Sequence, residues 1–504
     1  MAKANTAKSK KSFIFLIICA ILVCALTAFV IADGMLHRSD FLRDQAFIGA
    51  LTDAFDRFPS QITQQDLAEV RVLFLTGRFE QGMMFDGFDL TLGFDDAAQY
   101  MRNLQEYGED FEDENFEDYF LFASSDVNIR DFSNLAYFPN IEFLQITALP
   151  NMRDLSFLEN MTSLDTVNIQ LVGATDFSPI SNNVSINRLT IGAVSLENVG
   201  MLAELTNLEF LTLSGTNISD IAGLENLTNL TALSLDNNSI ENITYLRNLA
   251  ALETLSLGNN NIADISPLGG LTALETLNLS QNNITNTSAL GSLVNLETLV
   301  LNGNAELSDI SGLSGLISLT ALHISGAQVS DVSPLADLPS IETLVLDNNN
   351  IEDVSPLANL ASSLETLGLD NNNIADISPL AYLTNMELLA LEGNRIEDIS
   401  ALAPLSDAAL TFLSLVNNEI TDVTVLASFE NLEILALGNN RIEDFSPLDA
   451  LEEIGTIFIS GRESQFGDLL TLDDFDFGDW EDEYYQDEGY RYDDYEADED
   501  NEDE

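Results

Sequence analysis

The run Leu252-Glu-Thr-Leu-Ser-Leu-Gly-Asn-Asn-Asn-Ile262, continued by Ala263-Asp-Ile-Ser-Pro-Leu268, decides the fold. Its Leu-x-Leu alternation puts Leu255 and Leu257 on one face of a short strand, because successive strand side chains point to opposite sides. Asn260 follows where the strand must end, and its amide can satisfy backbone groups that the ending ladder frees. In the second half, Ser266 is expected to cap free N–H groups through its hydroxyl, while Pro267 takes the first helical position, where no donor is needed. A single short helical or 3₁₀ turn then returns the chain to the start of the next strand.

The same unit recurs every 22 residues. Its central position falls at 211, 233, 255, 277, 299, 322, 344, 367, 389, 413, 435 and 457, with looser units at 122, 144, 167 and 189, which makes about sixteen turns. The asparagine recurs at Asn238, Asn260, Asn282, Asn304, Asn349, Asn372, Asn394, Asn418 and Asn440, and stacked in register these residues form a buried amide ladder with a structural role. One unit cannot bury its leucines alone. Neighbours bury them, so the fold is an α/β repeat solenoid with a thin convex side, pronounced curvature and a cap at each end.

Side chains on either side of the central leucine point away from the core, so the exposed face of the sheet can be read in columns. Small, hydroxylated and apolar residues fill them, among them Phe210, Thr212, Ser234, Thr254, Ser256, Thr276, Asn278, Thr298, His323, Thr343, Thr366 and Phe412. Threonine favours strands in any case. The functional reading is a smooth trough for an extended protein or peptide ligand, with Phe210 and Phe412 as anchors near its two ends. One column further on, Asp236, Asp347, Asp370 and Glu392 form an acidic edge. Ca²⁺ accepts such oxygens, but these stand on separate turns without an EF-hand loop, so the edge is not expected to be a dedicated calcium site.

The repeat now resembles a known family closely enough to state it: residues 122–460 are similar to the 22-residue leucine-rich repeats of bacterial internalins. The Asp-Ile-Ser-Pro-Leu half also resembles the leucine-rich regulatory subunit of protein phosphatase 1, and Ile62 to Leu75 resembles the internalin cap and first turn. The resemblance implies a curved right-handed solenoid with a parallel sheet on its concave face and a role in binding another protein, often in adhesion. The chain lacks the Leu-Pro-x-Thr-Gly sorting signal and a recognisable immunoglobulin-like module after the repeats.

Beyond the repeats, Lys3, Lys8, Lys10 and Lys11 precede an apolar run from Phe13 to Ala32 that is long enough to span a bilayer. The positive-inside bias then places everything after Asp33 outside the cell. The alternative is cleavage after Ala32 and secretion. Both cysteines, Cys19 and Cys24, lie in this run, and a cysteine-free exported repeat points to a bacterial surface protein. The expected organisation is a basic tail over 1–12, an anchor or signal over 13–32, a cap with a divergent repeat and an insertion over 33–121, the solenoid over 122–467, and an acidic tyrosine-rich tail without a core over 468–504.

With 18 Lys+Arg against 83 Asp+Glu, the formal charge of −65 excludes nucleic acid as a partner, since phosphates are held by cations. No Gly-x-Ser-x-Gly or His-Glu-x-x-His spacing occurs, and the exported part offers only His37 and His323. An isolated histidine on a strand reads as a surface residue. No catalysis and no cofactor are expected. A scaffold acting through the acidic tail, and an enzyme inhibitor or regulator, are the competing functional readings.

Overall fold

Among the described residues, alternating leucines give seventeen strands in one parallel sheet. The computed structural model describes residues 70–76, 120–124, 133–192, 194–196, 199–451 and 456–458. The expected anchor or signal over 13–32, most of the expected cap and insertion over 33–121, and the acidic tail lie outside the described residues. Among the described residues no helix is long and apolar enough to cross a membrane.

Five strands have five residues: β1 (Val72–Thr76), β2 (Phe120–Ser124), β3 (Phe143–Thr147), β4 (Thr166–Gln170) and β5 (Arg188–Gly192). The others have three: β6 (Phe210–Thr212), β7 (Ala232–Ser234), β8 (Thr254–Ser256), β9 (Thr276–Asn278), β10 (Thr298–Val300) and β11 (Ala321–His323). They continue as β12 (Thr343–Val345), β13 (Thr366–Gly368), β14 (Leu388–Ala390), β15 (Phe412–Ser414), β16 (Ile434–Ala436) and β17 (Thr456–Phe458). From β3 onward each strand pairs with the next in register, central leucine against central leucine, as in Leu255↔Leu277 and Leu277↔Leu299.

The first turns depart from chain order. β1 pairs directly with β3, Leu73 opposite Leu144, and β2 lies along its other side with Leu73 opposite Leu121. The unit read from the sequence at 122 is therefore centred one residue earlier. With a side-chain period of two, that single residue exchanges the two faces of the strand.

The core is continuous from Val70 to Leu451, and nearly every inward leucine or isoleucine is excluded from solvent. The return path is a series of 3₁₀ turns such as Ser266–Gly270 and Ser378–Tyr382. Their caps differ from expectation. Ser266 does not cap through its hydroxyl; its backbone N–H donates to Asp264 Oδ1 at 2.9 Å, and Ser333, Ser355 and Ser378 donate likewise to Asp331, Asp353 and Asp376. An aspartate two residues ahead reaches this N–H through an Asx turn, which leaves the intervening Ile265 free to enter the core. The serine hydroxyl and N–H together hold Asp264, Asp331 and Asp353 below the ordinary carboxylate pKa.

The nine asparagines named above all turn inward and hydrogen-bond the backbone of two turns. Asn282, for example, donates to the carbonyls of Leu257, Leu279 and Ser280 at 2.9, 3.2 and 2.9 Å, and accepts the N–H of Ile262 at 2.9 Å. The same pattern places Asn238, Asn260, Asn304, Asn349, Asn372, Asn394, Asn418 and Asn440. The residue just before most of these is left-handed, as at Asn237, Asn259, Gly303 and Asn371, which explains the paired Asn-Asn and Gly-Asn of the repeat. A second amide row was not read from the sequence. Asn207, Asn229, Asn295, Asn385 and Asn431 each donate to a carbonyl of the preceding turn, at Val184, Thr206, Thr272, Ser362 and Ala408. The Asn-Leu or Asn-Met pair that opens the unit was its signal.

Candidate binding face of the sheet

Among the described residues the strands carry no aspartate or glutamate, and Arg188 on β5 is their single Lys or Arg. This floor has two chemically different halves.

In the first half the polar side chains bond one another. Ser214 and Ser234 hydroxyls lie 2.8 Å apart, and Ser234 and Ser256 each donate to Asp236 at 2.7 Å. Asn278 donates to the Ser256 hydroxyl at 3.1 Å and accepts the N–H of Ser280 at 3.0 Å. Burial pushes the Asp236 carboxyl up in pKa, and the Ser256 and Ser234 hydroxyls oppose the shift. Such a closed chain has few free donors to offer a ligand. Phe210, Thr212, Thr254, Thr276 and Thr298 are half-buried beside it. The guanidinium of Arg188 stacks on the Phe210 ring at 3.7 Å from its centroid, a cation–π contact that presents an ordered cation to solvent.

The second half is apolar. Val345, Ala390 and Phe412 form a buried cluster separate from the main core, with Leu388 and Ile434 packed partly exposed against it. Phe412, read as an exposed anchor, is only 3% exposed because these neighbours enclose its ring. Thr366 and Ser234, expected on the solvated face, are buried too, whereas Thr343 is half-buried. Short strands in tight register leave little space between columns.

His323 stands between Val300 and Val345 in the register. It is half-buried rather than a surface residue, and desolvation lowers its pKa to about 4, so it is neutral at neutral pH. The Ser325 hydroxyl two residues along the chain is buried without a hydrogen bond, so it forms no Ser–His pair with it.

The acidic edge is built into the backbone. Asp347 Oδ1 accepts the N–H of Asp370 at 2.7 Å, and Asp370 Oδ1 accepts that of Glu392 at 2.6 Å. Each carboxylate thus ends one strand by bonding the next turn, a structural task that accounts for its position without calcium. Among the described residues no three His, Cys, Asp or Glu side chains converge as a metal site.

A parallel sheet of one strand per 22-residue turn, closed by 3₁₀ segments and an inward asparagine row, defines a leucine-rich-repeat solenoid. The family model for leucine-rich repeats in two copies matches residues 206–248, 250–290, 272–315, 317–359, 362–404 and 409–450. An internalin from Listeria monocytogenes (inlF) is 32% identical, with a TM-score of 0.58 over 60% of this chain and 89% of that one. A second internalin from the same organism (inlC2) is 30% identical over 47% of this chain and 83% of its own, at a TM-score of 0.32. The plant peptide hormone receptor RGFR1, solved in complex with RGF2, shares the fold at 19% identity and a TM-score of 0.50, over 58% of this chain and 51% of the receptor. No curated protein sequence matches significantly. The chain belongs to the internalin-like leucine-rich-repeat proteins.

Proposed function

We propose that this chain is a non-catalytic binding module that recognises a protein or peptide on the concave face of its sheet. The observation that carries this reading is the floor itself: seventeen parallel strands without a single carboxylate side chain, bordered by exposed acidic residues on a strongly acidic protein. At about 4.8 Å per strand the floor runs about 80 Å, ample for an interface of standard size. The plant receptor solved with RGF2 has a solenoid of like fold, which supports the same use here. The apolar run 13–32 supports display outside the cell, either membrane-anchored through that segment or secreted by cleavage after Ala32.

The test is capture of a partner from cell-envelope and host-surface extracts by the full-length chain, beside a variant with Thr254→Arg, Thr276→Arg and Thr298→Arg. Capture lost in the variant, at unchanged thermal stability, is the expected result. Capture indifferent to the variant and lost on deletion beyond Gly467 would move the function to the acidic tail.

A further inference from the structure

The described strands of the floor lack carboxylates throughout, but what they expose changes along the sheet. Immediately before the strands stand Glu342 (β12), Glu365 (β13) and Glu387 (β14), all exposed. Their backbones are hydrogen-bonded in sequence, Glu365 N–H to Glu342 C=O and Glu387 N–H to Glu365 C=O, so they succeed one another at the strand spacing of about 4.8 Å. The ion pairs Arg71–Glu142 and Arg441–Glu419 involve none of them. At the far ends of the same three strands lie Asp347 and Asp370, both buried and bonded to backbone N–H groups, and the half-buried Glu392. Between these borders the floor is Val345, Gly368, Leu388 and Ala390, continued by Phe412 and Ile434. The apolar part of the floor therefore lies beside an exposed glutamate row. In the first half Glu253, Glu275 and Glu297 form the same row before β8, β9 and β10, but the floor there is hydroxylated and closed on itself.

Resting on the concave-face reading, we infer that the floor over β12–β16 docks an extended cationic polypeptide segment. Its apolar side chains lie on the partly exposed Leu388 and Ile434, which cover the buried Val345–Ala390–Phe412 cluster, and its Lys or Arg heads reach Glu342, Glu365 and Glu387. Charge complementarity selects this occupant. Lys and Arg have aliphatic stems that suit an apolar floor and heads that seek its borders. A neutral apolar segment would leave the like charges of the border unrelieved, and an acidic one would add to them.

The experiment measures binding of three synthetic peptides to the full-length chain: alternating Lys-Leu, alternating Lys-Ser and alternating Glu-Leu. Each has about ten residues, about 33 Å when extended. The Lys-Leu peptide is expected to bind best, to weaken at least tenfold with Glu342→Gln, Glu365→Gln and Glu387→Gln combined, and to weaken with Leu388→Ser and Ile434→Ser. It should be unchanged by Glu204→Gln, Glu225→Gln and Glu430→Gln, which remove the same charge from exposed positions beside the 3₁₀ turns. Equal weakening in both glutamine triples would reduce the effect to general attraction by an acidic protein and overturn the proposal. So would equal binding of Lys-Ser and Lys-Leu, or no binding of Lys-Leu. If that failure accompanies partner capture still lost in the Thr→Arg triple, the concave-face reading survives and only the cationic occupant falls.

Discussion

Asn260 Oδ1 accepts the backbone N–H of Ile240 at 3.0 Å, twenty residues earlier in the chain, while its amide donates to Leu235 and Leu257 carbonyls at 2.9 and 3.1 Å. One side chain thus satisfies backbone groups of two turns inside the core. The consequence is directional, because both ends of the amide are needed. Asn282→Leu leaves the Ile262 N–H without its acceptor and three carbonyls without this donor. A loss of about 2–4 kcal/mol is expected in denaturant unfolding, at about 1–3 kcal/mol for each group left unsatisfied. Asn282→Asp should cost as much, since a carboxylate cannot donate. A change under about 0.5 kcal/mol would show that water or relaxation replaces the amide.

Between Asn238 and Asn440 one turn lacks the asparagine, with Ala327 in its place. Consensus reasoning recommends Ala327→Asn, yet the donor that such an amide would serve is taken: Leu307 N–H already bonds Asn304 C=O at 2.8 Å within its own turn. That turn is one residue longer, from central Leu299 to Leu322, and the extra residue makes the internal bond. Ala327→Asn is therefore expected to give no gain in thermal midpoint. Stabilisation by more than a few degrees would show that the two devices are not alternatives.

Asn183 occupies a position that is leucine in the following turns, at Leu205, Leu227 and Leu249, and it is fully buried. Its amide reaches Leu158 C=O at 3.1 Å, but its Oδ1 has no partner. Leu158 C=O also accepts the N–H of Met161, so it loses little if the amide goes. Asn183→Leu should stabilise the protein by about 1–3 kcal/mol, read as a higher denaturation midpoint. Destabilisation would mean that the pocket cannot take the branched side chain.

His323 and the Asx-turn aspartates divide the pH dependence of stability into two windows. The folded pKa of His323 lies near 4 against 6.5 for the free side chain, so between those values the unfolded chain holds a proton that the folded one refuses. Stability should rise with pH across that window, by on the order of 2 kcal/mol once solvent screening of a half-buried ring is discounted. Asp264, Asp309, Asp331, Asp353 and Asp422 have lowered pKa values, so their contribution is present above the ordinary 3.8 and is lost as pH falls below it. Denaturation midpoints measured from pH 3 to 8 should lose their upper slope in His323→Val and keep the lower fall. An unchanged upper slope would assign it to other groups.

The period, the strand positions and the inward asparagines were all legible in the sequence. Each follows from a local rule repeated many times: strand alternation, an asparagine after most strands, and a Ser-Pro that starts many of the returns. Repetition averages out the ambiguity of any single unit, which is why the degenerate unit near 122 was the one placed a residue out. It was also clear that Asp-Ile-Ser-Pro-Leu starts a turn, but not that the aspartate rather than the serine caps it, since both can accept an N–H and only backbone geometry selects between them.

The candidate face was less legible, because composition along a column does not say which side chains satisfy one another. Ser234, Asp236, Ser256 and Asn278 read as open polar groups, and only their placement on adjacent strands closes them into a hydrogen-bonded chain. Likewise Val345, Ala390 and Phe412 are 67 residues apart at their extremes and meet only through the stacking of four turns. By itself the sequence determined that this chain is a solenoid and where its leucines and asparagines go, because those follow from a period of 22 residues and a side-chain period of two. Tertiary structure alone decided which half of the sheet is apolar, which polar groups are already paired and where β2 lies, because those depend on contacts between turns that no single unit contains.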